Sequence, residues 1–161
     1  MVPNLHPATV HFPIAFLLLG SVAGLLYLYW RQHDVLRILT WWPLLLGWLG
    51  SAVAILTGLL AQSGLPPQAP YRAILNWHTT TGLALWVLYG YLLYQRWLHG
   101  KPNRRNRSRQ AAPMTAASDL LQESQARLWL TVIFLVGILL VIASGWNGGK
   151  LVYEWGVNVA R

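Results

Sequence analysis

No cysteine occurs anywhere in the 161 residues. That excludes disulfides, iron–sulfur clusters, thiolate metal sites and covalently attached c-type haem. Any metal or cofactor would need histidine, carboxylate or backbone ligands. Charge is scarce too: 10% of residues are charged and only 4 are acidic, where a water-soluble domain carries roughly a quarter charged residues. No Ser/His/Asp arrangement and no phosphate-cradling glycine loop is visible, so hydrolase and kinase readings have no footing. A cleavable signal peptide is not expected either, and the first apolar run should stay as a span. No basic residue precedes the first apolar run, the run exceeds a usual signal core, and no small-residue cleavage site follows it.

What the chain has instead is apolar sequence in long blocks, with 55% of residues hydrophobic. A span takes about 20 predominantly apolar residues. Residues 9–30, 39–61, 74–98 and 128–147 each reach that length. The expectation is an all-α fold: a single integral membrane domain over 1–161, built as a four-helix transmembrane bundle. No internal repeat is evident.

The formal net charge of +8 sits largely in one stretch, RWLHGKPNRRNRSRQ, between the third and fourth blocks. With no folded nucleic-acid module beside it, this run reads as a topology signal and excludes nucleic acid as a partner. Attraction to anionic lipid headgroups adds about 1 kcal/mol per basic residue. With the amino terminus outside, Arg31, Arg37, Arg96, Lys101, Arg104, Arg105, Arg107, Arg109 and Arg127 face the cytoplasm, and only Arg72, Lys150 and Arg161 face out. The positive-inside rule therefore puts both termini outside. Tryptophan and tyrosine cluster at the ends of the blocks, at headgroup depth, and only Trp48 and Trp86 fall near the middle of a span. Residues 31–37 read as a tight turn, 62–72 as a proline-rich outer loop and 99–117 as a basic cytoplasmic linker. Ser118 is a candidate N-cap for a last helix that starts in water.

This orientation gathers the histidines. His33 and His99 fall at cytoplasmic ends and read as solvated. His6 and His11, in LHPATVHFP, lie at the outer end of the first helix, and His78 lies at the outer end of the third. Ala15 and Gly82 stand four residues after His11 and His78, on the same helix face and one turn deeper. Such gaps would let a flat macrocycle lie between helices, with a histidine from each side reaching its iron. They would equally let two helices pack closely with nothing between them. On one continuous helix His6 and His11 point about 140° apart, so both cannot face His78. Pro7 and Pro13 are rival helix starts. Either start makes His11 the better buried ligand and gives His6 a surface or supporting role.

After the last block comes SGWNGGKLVYEWGVNVAR. Gly145, Gly148 and Gly149 are expected to break the helix, and the alternation that follows suggests an interfacial segment folded over the mouth of the bundle. Glu154, the one outer carboxylate, could accept from a histidine N–H or pair with Arg72 or Lys150.

LHPATVHFPIAFLLLG and GWNGGKLVYEWGVNV resemble the two signature blocks of domain-of-unknown-function family 2231. His6, Pro7, His11, Phe12, Pro13, Gly148, Gly149, Leu151, Val152, Tyr153, Gly156 and Val157 carry the likeness, which extends over essentially the whole chain; His78 matches a family histidine in the third helix. The resemblance implies a four-helix protein of a bacterial inner (cytoplasmic) or photosynthetic membrane. It supplies no activity. Fusion or proximity of some relatives to cytochrome c modules implies a link to electron transfer.

Two functions compete. One is a b-type haem protein that moves electrons near the outer face, with His11 and His78 as axial ligands and His6 and Glu154 in support. The other is a non-catalytic structural or assembly subunit of a larger membrane complex, without cofactor. Structural hydrogen bonding, proton or quinone chemistry and bare metal binding stay open for the same histidines. A transporter is disfavoured, since no span has a charged residue at its centre and none is broken midway.

Overall fold

A computed structural model describes residues 5–99 and 119–157. All elements among them are helical, with no strand. In chain order they are α1 (Leu5–Thr9), α2 (His11–Tyr29), α3 (Asp34–Ser63), α4 (Arg72–His99), two 3-10 turns (Leu120–Gln122 and Ser124–Ala126) and α5 (Arg127–Tyr153). The helix α2 packs along α3 and α5, and α4 packs along α5 and α3. The apolar stretches in α2, α3 and α5 are long and apolar enough to cross a membrane. The helix α4 is as long but more polar: it carries Thr79, Thr80, Thr81, Gln95 and Arg96 among its 28 residues.

Several boundaries depart from the sequence reading, each for a local reason. The block at 9–30 is mostly α2, with the short α1 before it, and Pro7 and Pro13 are each the third residue of their own helix. The turn at 31–37 closes earlier, because His33 caps α3 by accepting from Val35 N–H at 3.3 Å. Ser118 and the linker beyond His99 lie outside the described residues. Asp119 is the cap that is seen, accepting from Leu121 N–H at 3.1 Å, and α5 begins only at Arg127. At the far end, no extended segment follows residue 148 among the described residues. Instead α5 runs through Gly145, Gly148 and Gly149 to Tyr153, and Gly156, at φ 62°, turns the chain. Only there does the backbone need the left-handed region that glycine occupies freely. Val157 N–H then donates to Leu151 O at 2.9 Å.

The core has two parts. A large cluster built on Leu17, Leu44, Tyr89, Leu92, Leu130 and Phe134 fills the middle and lower end of the molecule. A small one, Leu75 with Leu151 and Val157, closes the upper end, where the described termini lie. At the lower end Asp119 ties the last segment down. Its carboxylate accepts from Trp41 Nε1–H at 3.0 and 3.1 Å, while Arg96 lies over the Trp41 ring at 4.4 Å. Asp119→Ala leaves that indole N–H and the Leu121 N–H unpaired, at about 1–3 kcal/mol for the buried donor. Thermal unfolding in detergent should show the loss, and Asp119→Asn, which keeps an acceptor, should recover part of it.

Candidate functional site

Pro13 sets the geometry of the upper end. Lacking an N–H, it cannot bond the Thr9 carbonyl four residues back, and its ring crowds that oxygen. The helix breaks at Val10. The Thr9 hydroxyl donates instead to His6 O at 3.0 Å, closing α1 as a separate short piece. Once the helix is broken, the angular relation between His6 and His11 no longer holds, and α1 turns His6 inward.

His6, not His11, therefore stands opposite His78. Their ring centres are 6.1 Å apart with planes at 79°. His11 is exposed, because it opens α2 on the far side of the break, and its Nδ1–H turns back to Pro7 O at 3.0 Å. Ala15 is exposed and lies off the cavity. Gly82 does line it, with nothing nearer to a Cβ there than Ser144 Oγ at 4.0 Å. Glu154 is exposed and pairs with no described residue.

Hydrogen bonding fixes the tautomers. A carbonyl can only accept, so the 2.9 Å contact between His78 Nδ1 and Ser144 O puts the proton on Nδ1. The Thr57 hydroxyl spends its hydrogen on Val53 O and Ala54 O, at 3.0 and 3.1 Å. Its oxygen therefore accepts from His6 Nδ1–H at 3.3 Å. Both rings are thus held through Nδ1–H. Both Nε2 lone pairs are left, and no described residue bonds to either. Metal-bound histidines are oriented in this way, with the second ring nitrogen donating to a carbonyl or another acceptor.

Glycines seat the two rings. A Cβ on Gly58 of α3 would stand 2.9 Å from His6 Cε1, and one on Gly148 of α5 would stand 3.1 Å from His78 Cε1. The glycines that touch the rings lie on the opposing helices, while Gly82, one turn along from His78, borders the cavity without touching either ring. Around the pair is a cavity of about 470 Å³, within the usual range for small-molecule sites. Leu17 and Leu85 form its floor, and Leu75, Leu151 and Val157 its roof. Beside Gly145 and Gly149, which also line it, a Cβ would meet nothing within 4 Å.

The environment holds His6 neutral. Burial lowers its pKa below the ordinary 6.5, the charge of a protonated His78 lowers it further, and the Ala54 carbonyl offsets part of this. The folded state therefore binds fewer protons than the unfolded chain below pH 6.5. Stability is complete at neutral pH and declines as pH falls through 6.5. Thermal unfolding in detergent between pH 7.5 and 5 should show this decline, and His6→Asn, which keeps a donor near Nδ1 but does not titrate, should flatten it.

A family described as predicted membrane protein (DUF2231) matches residues 2–161. The chain belongs to this family. No curated protein and no solved structure matches it. The two stretches that carry the DUF2231 likeness converge on the cavity: His6, Pro7 and Pro13 line it from one end of the sequence, and Gly148, Gly149 and Val157 from the other.

Two features were missed by the sequence reading. The seats at Gly58 and Gly148 have no signal beyond glycine itself. The reorientation of His6 did have one, the missing N–H of Pro13.

Proposed function

We propose that this protein is a membrane-embedded electron carrier that holds a b-type haem near the outer face of a bacterial membrane, with His6 and His78 as axial ligands. The observation that carries the reading is the imidazole pair, each ring locked through Nδ1–H with its Nε2 free, 6.1 Å apart at one cavity. Two imidazoles bound to one metal at about 2.0 Å from each nitrogen have ring centres about 6 Å apart. The open space beside Gly82, Gly145 and Gly149 suits a flat macrocycle, and the largely aliphatic walls suit its faces. Bis-histidine ligation from facing helices, away from water, gives a low-spin iron that exchanges single electrons without binding substrate.

In this reading α2 to α5 form a four-helix bundle across the bilayer, with α4 setting Thr79 against Gln62 and Arg96 against Trp41 of α3 and burying Thr81. The positive-inside rule, applied to the excess of arginine between the third and fourth blocks of the sequence, supports an outer position for the upper end and the short α1. An outward-facing haem would serve a cytochrome c or a larger electron-transfer complex. The deciding experiment is the reduced-minus-oxidised absorption spectrum of protein purified in mild detergent from haem-replete cells. Sharp b-type bands are expected. A colourless preparation overturns the proposal and leaves the cofactor-free subunit as the better reading.

A further inference from the structure

The cavity has a side opening, and its position follows from the packing register of α2 against α5. These helices run antiparallel. The Tyr29 hydroxyl meets the Thr131 hydroxyl at 2.9 Å, and Gly24 takes the Phe134 ring, with Cε2 only 2.5 Å from where a Cβ would stand. Continuing that register upward brings Ala15 level with Gly145 and His11 level with Gly149. In the lower half the seam is closed by Phe134, which is fully buried. Higher up, at the level of Gly145 and Gly149, the seam lacks such a plug: Gly145 is exposed, a Cβ on either glycine would touch nothing within 4 Å, and both glycines and His11 line the cavity. Trp146, 68% exposed, flanks this opening, and Lys150 Nζ lies 5.9 Å from the centre of its ring. That pairing of indole and cation marks headgroup depth. The rim thus joins an apolar interior to a cation, which suits a flat molecule with apolar faces and an anionic edge, as haem has.

We infer that the cavity is loaded sideways, from the outer leaflet, through the cleft between α2 and α5 that Gly145 and Gly149 leave open beside His11. The inference rests on the haem reading for the identity of the ligand and on the cleft alone for the route.

The absence of native cysteine gives a clean test. Ala15→Cys and Gly145→Cys together, joined by a short bismaleimide, bridge the cleft at a level where neither side chain is packed. Haem dissolved in phosphatidylcholine vesicles should load into the reconstituted double variant at least tenfold more slowly after bridging. Ala15→Cys alone, capped with the same reagent, should load at the normal rate, since Ala15 lies off the cavity. Protein loaded before bridging should keep its bands. Loading at an unchanged rate through a bridged cleft overturns the inference, and so does failure of the bridge to form, since the two residues would then not face each other. A photoactivated hydrophobic carbene probe in the same vesicles reads the route without haem. It should label Leu17, Ser51 and Ala54 in the open protein and spare them in the bridged one, and labelling that ignores the bridge is contrary to the inference. If bridging protects these residues while no variant ever shows haem bands, the entrance stands and the haem reading falls.

Discussion

His78→Ala will remove the b-type bands, His6→Ala will do the same, and His11→Ala will leave them in place. The order matters because it separates the structure from the sequence, which favours His11. Losing one imidazole of the pair would leave one ligand in a cavity otherwise lined by aliphatic carbon, hydroxyls, amides and the exposed His11, whose Nδ1–H is turned to Pro7 O. Even the outer partners of metal-bound histidines are worth about 10–100-fold in affinity when removed, so removal of the ligand itself should exceed a hundredfold. Bands that survive in His78→Ala would show that the pair does not hold iron. A fold defect is distinguished by adding imidazole to the purified alanine variant. Free imidazole fits the space vacated by the side chain and should restore a low-spin spectrum, which a misfolded protein would not regain. A weaker version of the same change is Gly148→Ala, whose Cβ would press on His78 Cε1 from 3.1 Å. It should tilt the ring, shift the bands and lower haem occupancy without abolishing it.

Helix existence was legible because lipid asks one question of a sequence, whether about 20 residues in a row avoid charge, and composition answers it. The helices α3, α4 and α5 contain the blocks expected at 39–61, 74–98 and 128–147 and extend past them, whereas α2, at His11–Tyr29, falls short of 9–30 at both ends. The site was legible only in part. His78 and the amino-terminal histidines were marked by being ionisable side chains near apolar runs, but His11 was favoured whichever of Pro7 and Pro13 started the helix, because it lies deeper in the apolar run. The missing hydrogen bond at Pro13 decided instead. The glycines at 145, 148 and 149 show the same limit. In a peptide they weaken a helix, yet here they lie within one: Gly148 packs against His78, while Gly145 and Gly149 border open space. Whether a glycine ends a helix or opens room beside it depends on what packs there, and no local window contains that information.

Gly137→Ala should be the most damaging single-atom-scale change in the protein. Tyr89 is 1% exposed and sits in the middle of its helix, with its ring inserted toward α5. The Ser21 hydroxyl donates to Leu17 O at 2.7 Å, so the Tyr89 O–H donates to Ser21 Oγ at 2.6 Å, far from any water. A Cβ on Gly137 would fall on that hydroxyl and stand 2.5 Å from Tyr89 Cζ. The ring cannot retreat without breaking the bond to Ser21, and a buried hydroxyl left unpaired costs about 1–3 kcal/mol. Overpacking adds about 1–3 kcal/mol, so the substitution should lower stability by roughly 3 kcal/mol or more. Thermal unfolding of the detergent-solubilised protein measures it. Two second-site changes identify the cause. Tyr89→Phe on Gly137→Ala should help little, because Cζ remains in the way. Tyr89→Leu on Gly137→Ala should recover a large part of the loss, because it removes the clash and the hydroxyl together. Equal stability of Gly137→Ala and the parent protein would mean that α4 and α5 are not packed at this distance. The floor of the histidine cavity, which Leu85 supplies one turn above Tyr89, would then need to be redrawn.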